Sequence, residues 1–211
     1  MMKKTISYFI VILFILVMQG CHEEVLDVKN LQVYNPEDVW NDETLANAYL
    51  TDLYASLPSW PLNSGDNADE SGGILGQGAV QTTTGSFKYW PYSTIRQINI
   101  LLRDIDGGSL TQEVKNAIKG QAYFLRAYHY FQAVKHHGGV PIIDKVQELE
   151  DELMVERNTT AECFEFILQD LNEASNMLPD HYTGENYGKI DKGATLAFRG
   201  RVLLYKASPQ L

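Results

Sequence analysis

Cysteine is scarce. The 211 residues contain two, Cys21 and Cys163, so a fold stapled by several disulfides is excluded. Cations are in short supply as well: 17 Lys and Arg stand against 27 Asp and Glu, a formal net charge of −10, and no stretch gathers the cations into a cluster. Affinity for nucleic acid comes mainly from cationic contacts to phosphate, so the composition argues against a nucleic-acid partner. One long apolar run is present, Ile6–Met18, interrupted by Ser7 and Tyr8. It falls well short of the roughly 20 residues that a membrane-spanning helix needs. Regular alternation of apolar and polar residues, the mark of half-buried strands, is missing.

Constellations that carry chemistry are thin too. Gly73-x-x-Gly76-x-Gly78 has neither the Lys-Ser/Thr of a phosphate-binding loop nor a strand before it. Asp66, Asp69 and Glu70 miss the EF-hand spacing, and closeness in sequence does not place two carboxylates across a glycosidic bond. His129 and His136 have no acidic or cysteine companion at metal-ligand spacing. Cys163 lies in an amphipathic pattern and reads as a small buried apolar residue, not a nucleophile. No catalytic residue, metal or cofactor is expected.

What is present begins at the N-terminus. Lys3 and Lys4 precede the apolar run, and Met18-Gln19-Gly20-Cys21 comes after it. Charge, short apolar core and a small residue before cysteine resemble a bacterial lipoprotein signal, with cleavage after Gly20 and lipid on Cys21. Cys163 then has no disulfide partner. Residues 1–20 are read as signal peptide, 21–41 as lipidated cysteine and tether, and 42–211 as a helical domain. Glu23-Glu24 resembles the surface-export signal of Bacteroidetes lipoproteins.

The domain is organised around Thr111–Pro141. Val114, Ala117, Ile118, Leu125, Tyr128, Phe131 and Val134 recur mostly at three- and four-residue steps, which predicts one long helix. Thr111 is its N-cap, Gly138-Gly139 its stop, and Pro141 forbids continuation. His136 and His137 fall where a helix C-terminus favours positive charge. Further helices are predicted over Glu43–Leu57, with Leu45, Ala48, Tyr49, Leu53 and Leu57 inward, and over Ser93–Ile105, with Ile95, Ile98, Leu102 and Ile105 inward. Thr159-x-x-Glu162 is a capping box that starts another, ending before Pro179, and the last spans about Asp191–Ala207. The fold class is all-α, in successive helix pairs.

Between the first two helices lies Pro58–Lys88, a Gly-rich stretch longer than compact domains usually carry without a binding role. Sugar binding needs flat aromatic faces with amides and carboxylates beside them. Trp60, Asp66, Asn67, Tyr89 and Trp90 provide these types and are the candidate ligand-binding residues. The competing reading packs Trp90 and Tyr92 into the core as the lead into a helix. On residues alone, a peptide-binding helical-repeat module and a carbohydrate-active enzyme also stay open.

Several motifs, in order, resemble the SusD/RagB family of outer-membrane lipoproteins. They are Val25-Leu26-Asp27-Val28; Trp90, Tyr92, Ile95 and Asn99; Gly120-Gln121-Ala122-Tyr123-Phe124-Leu125-Arg126-Ala127-Tyr128 with Gly138-Gly139-Val140-Pro141; Arg157, Asp170-Leu171, Ala174 and Leu178-Pro179; and Gly188, Lys192-Gly193-Ala194 and Arg201-Val202-Leu203-Leu204-Tyr205. Lys189 stands where the family usually has Arg. The resemblance implies tetratricopeptide-like helix pairs with long binding loops. It implies a non-enzymatic, surface-exposed lipoprotein of the outer membrane that passes oligosaccharides or peptides to a SusC-like TonB-dependent transporter. Family members are considerably longer, so this chain corresponds to an N-terminal part, and the rest of the glycan-binding face is expected to lie outside it.

Overall fold

The computed structural model describes residues 36–57 and 89–208. Cys21, the signal segment, most of the tether and the Gly-rich stretch with Trp60, Asp66 and Asn67 lie outside the described residues. Helix is the regular element present: α1 (Pro36–Val39), α2 (Glu43–Ala55), α3 (Tyr92–Asp104), α4 (Gln112–His137), α5 (Thr160–Met177) and α6 (Lys192–Lys206), with single 3-10 turns at Ile105–Gly107 and Gly184–Asn186. Among the described residues there is no strand, and no helix is long and apolar enough to cross a membrane.

Each long helix but α3 begins at a side-chain cap. Asp42 accepts from the Thr44 and Leu45 amides at 2.7 and 3.2 Å, and Asp191 accepts from the Ala194 amide at 2.7 Å. Thr111 accepts from the Val114 amide at 3.4 Å. The capping box is complete: the Thr159 amide donates to Glu162 at 2.8 Å and the Glu162 amide donates to Thr159 at 3.2 Å. Such a cap contributes about 1 kcal/mol by satisfying an amide the helix leaves without a partner.

Helix α4 is the centre. From Gly120 to Val134 its residues are buried on nearly every side, with Tyr123, Tyr128 and Gln132 half-buried. It packs against α2, α3 and α5. Phe198 of α6 meets Phe124, Tyr128 and Phe131 at ring distances of 5.3, 5.6 and 5.3 Å. Gly120 permits the close approach of Leu178, just past the end of α5, since a Cβ at Gly120 would sit 2.7 Å from Leu178 Cγ.

Two inward faces differ from expectation. On α2, Leu53 is buried as predicted, but its companions are Ala46 and Leu50, and Ala48 is exposed. The helix is apolar around most of its wheel, so periodicity left the arc open and packing selected it. Tyr49 and Tyr54 flank that arc, donating to Gln97 O at 2.9 Å and Gln121 Oε1 at 2.6 Å. On α3, Leu101 takes the innermost place and Leu102 is half-buried. Lys115 is buried, and its ammonium donates to the carbonyls of Asp106 and Gly108 at 3.0 and 2.7 Å, closing the end of the 3-10 turn.

One ionic cluster is enclosed in this core. Arg126 Nε and Nη2 donate to the two carboxylate oxygens of Asp170 at 2.8 and 2.7 Å, a bidentate pair. Nη1 donates to Asn99 Oδ1 at 2.8 Å and to Asp144 O at 3.3 Å. Asn99 Nδ2 then donates to the carbonyls of Ile143 and Lys145 at 2.9 and 3.1 Å. The guanidinium lies between the rings of Tyr123 and Phe166, at 5.4 and 5.0 Å. Residues spread over α3, α4 and α5 thus tie down the irregular segment 143–145.

Candidate functional site

Helix α4 ends where the chain enters α3, and there the aromatic residues collect. Gly138 stops α4 with φ of +69°, a conformation that L side chains rarely adopt. Gly139 lies so close to the 158 backbone that a Cβ would stand 1.9 Å from Asn158 O. Arg157 Nε donates to Gly139 O at 2.6 Å, and its Nη2 donates to His137 O. A cation thus meets the carbonyl end of the helix, where the helix dipole favours it. Cys163, buried as expected, donates from Sγ to Val140 O at 3.4 Å.

On this fixed corner His137 presents its ring to Trp90, parallel to within 8° at 4.2 Å. Tyr92 lies parallel to the same indole at 6.3 Å and 16°. Tyr92 is half-buried, its hydroxyl donates to Pro141 O at 2.8 Å, and burial pushes its pKa up to about 12. The reading that packs Trp90 in the core is corrected: the residue is 50% exposed. Its neighbours cover part of the indole but do not enclose it.

Tyr89 turns the other way. Its hydroxyl is 2.7 Å from His129 Nδ1, and His129 Nε2 is 3.0 Å from Ser56 Oγ. Ser56 Oγ donates to Leu53 O, so it accepts from Nε2–H, and Nδ1 accepts from Tyr89. This assigns a neutral imidazole, and burial lowers the His129 pKa to about 4. Residues 56 and 89, which bracket the Gly-rich stretch, therefore meet on one buried ring of α4. A serine whose proton is directed at a carbonyl is not poised as a nucleophile. Desolvation, and then Lys135 and His137, lower the pKa of the exposed His136.

The structure brings together two of the five predicted ligand residues, Tyr89 and Trp90, at one edge of α4. It adds His129, His137 and Ser56, which the sequence did not assign to a site. No local signal pairs residue 89 with residue 129, forty positions on; the only clue to His137 was its place just before the Gly-Gly stop. A second opening, a cleft of about 840 Å³, lies over the Arg126–Asp170 pair between α3, α4, α5 and the 144–151 segment. Its rim cations are already paired, Arg103 with Glu148 at 3.1 Å and Lys145 with Asp151 at 3.2 Å. Among the described residues, no group of His, Cys, Asp or Glu could hold a metal ion.

The described residues thus form an all-α scaffold of packed helices with Trp90 half exposed at one end of α4. A family model described as starch-binding associating with outer membrane, SusD-like, matches residues 22–204. The chain belongs to the SusD-like family. It is 24% identical over 221 residues to the SusD-like protein P38 of Formosa agariphila, covering 96% of this chain and 42% of that one. A crystal structure of a SusD-like protein from Bacteroides fragilis shares the fold at a TM-score of 0.64 and 28% identity, over 82% of this chain and 38% of the other. A laminarin-binding SusD-like protein matches at a TM-score of 0.64 and 24% identity, over 79% and 41%. The chain thus spans about two fifths of the length of these relatives.

Proposed function

We propose that the chain binds glycan without acting on it. In this reading it is a lipoprotein anchored through Cys21 that hands oligosaccharide to a SusC-like TonB-dependent transporter in the outer membrane. The observation that carries the glycan reading is the half-exposed Trp90, backed by His137 and Tyr92 on a rigid helix end, in a chain of a family described as starch-binding. A pyranose places its C–H face on such an indole while short polar side chains reach its hydroxyls. Trp60, Asp66 and Asn67 from the Gly-rich stretch are proposed to supply these contacts beside Tyr89 and Trp90. The binding role without chemistry is supported by the hydrogen-bond direction at Ser56, opposite to what a serine–histidine nucleophile requires.

Affinity is expected to be modest, since each sugar hydroxyl exchanges water for protein at little net gain. A glycan array probed with the purified chain, including starch- and laminarin-derived oligosaccharides, tests the reading. Binding to neutral glycans without release of shortened products supports it. Binding to peptides alone, or release of shortened products, refutes it.

A further inference from the structure

The segment that joins α4 to α5 leaves a backbone edge open. Residues 152–159 run without helix, turn or bend. Both ends of this run are fixed. Asp151 accepts from Lys145 Nζ at 3.2 Å and from the Glu148 amide at 3.0 Å. Arg157 is held on the carbonyls of Gly139 and His137, and the Asn158 amide donates to Val140 O at 3.1 Å. Between these anchors the Met154 amide donates to Glu152 Oε1 at 3.0 Å. No other backbone amide or carbonyl in 152–157 has a hydrogen bond within the described residues. An extended chain points the N–H and C=O of alternate residues to the same side. Leu153, Val155 and Arg157 therefore present a bare edge, which is a template for another strand.

Side chains alternate along such a run, with Glu152, Met154 and Glu156 on one face and Leu153, Val155 and Arg157 on the other. Met154 is 86% exposed, against 53% for Leu153 and 38% for Val155 on the side of the anchored Arg157. Single exposed apolar residues are ordinary, whereas three in succession on a bare edge mark an interaction site. Charge narrows the occupant. Residues 148–156 contain five acids and no base. Glu148 and Asp151 pair with Arg103 and Lys145, while Glu150, Glu152 and Glu156 have no ion pair among the described residues. A second copy centred on Met154 would set glutamate beside glutamate, which destabilises a strand pair. An anionic membrane repels the same residues. A glycan finds no aromatic ring in 144–158. A basic polypeptide fits.

We propose that residues 152–157 are a docking edge to which a partner protein adds an extended segment by main-chain pairing. On one face that segment carries Lys or Arg opposite Glu152 and Glu156, and an apolar residue opposite Met154. Between these positions, apolar residues meet Leu153 and Val155. The pattern is symmetric about Met154, so it fits either strand direction. The edge is straight and anchored at both ends before the partner arrives, which lowers the ordering cost of binding.

The test uses the purified chain and labelled peptides with the core Lys-Val-Leu-Val-Lys or Glu-Val-Leu-Val-Glu. By fluorescence anisotropy the lysine peptide is expected to bind about tenfold tighter or more, and the gap should narrow in about 0.5 M salt. N-methylation of its Val-Leu-Val amides, which blocks main-chain pairing, should weaken it at least about tenfold. Hydrogen exchange at the Leu153 and Val155 amides should slow when the lysine peptide is added. The double variant Glu152→Lys with Glu156→Lys should reverse the preference between the peptides, with an unchanged melting curve because both positions are exposed. Three results overturn the proposal. One is equal or absent binding of the two peptides. Another is a lysine peptide that binds as tightly when N-methylated, or that leaves exchange at Leu153 and Val155 unchanged. The third is a dimer by light scattering in which those two amides are protected without peptide, which makes a second copy the occupant.

Discussion

Replacing Asp170 by alanine should cost more than any surface change in this chain. The side chains of Arg126 and Asp170 retain 8% and 3% of their exposure, so the substitution leaves a guanidinium in the core without its counter-charge. Breaking such a pair from one side costs about 3–5 kcal/mol. Domains of this size have a stability on the order of 5–15 kcal/mol, so about a fifth or more is at stake. With about 2–4 °C per kcal/mol, the melting temperature should fall by about 6–20 °C. Urea unfolding followed by far-ultraviolet circular dichroism gives the number. The double variant Arg126→Met with Asp170→Leu removes both charges and should recover most of the loss. Recovery should be incomplete, because Asn99 Oδ1 and Asp144 O lose their donor. A loss below about 1 kcal/mol for Asp170→Ala, or a double variant worse than the single one, would refute the claim that this pair holds α4, α5 and segment 143–145 together.

Other outcomes rest on the same structure. Phe131→Ala, at 2% exposure beneath Phe198 and Tyr205, should cost about 3–5 kcal/mol in denaturant unfolding, and a change below 1 kcal/mol would place it at the periphery. His129 has a folded pKa of about 4 against 6.5 when free, so the unfolded state binds more protons between those values and stability should fall as pH drops from 6.5 toward 4. The loss should approach about 3 kcal/mol and be much reduced in His129→Gln, as read from melting temperature against pH. Cys21→Ser should abolish fatty-acid labelling and release soluble protein, and retained labelling would refute lipidation at that residue.

Much of the scaffold was legible in the residues because its signals are local. Thr111, Thr159 and Gly138 declare helix ends through their own backbone chemistry, and the stripe of α4 is periodic enough to give its length. Faces were less legible where a helix is apolar all round, as at Ala46 and Leu50 of α2. Polar residues that function by long-range pairing were not legible at all. Gly120, Gln121, Arg126, Asn99 and Asp170 stood in the sequence as family markers; the structure shows them fixing helix approach and satisfying buried polar groups. The candidate site was half legible: aromatic type picked out Tyr89 and Trp90, but whether an aromatic is buried or open depends on what packs beside it. For Trp90 that partner is His137, forty-seven positions away in the chain.

The central claim is that Trp90 is a glycan platform and not a core residue. Affinity electrophoresis in native gels containing starch or laminarin compares the wild type with Trp90→Ala. The wild type should be retarded relative to a glycan-free gel. The variant should migrate as though no glycan were present, with a melting temperature lowered by only a few degrees, since the lost stacking contributes about 1 kcal/mol. A variant retarded as strongly as a retarded wild type would contradict the account.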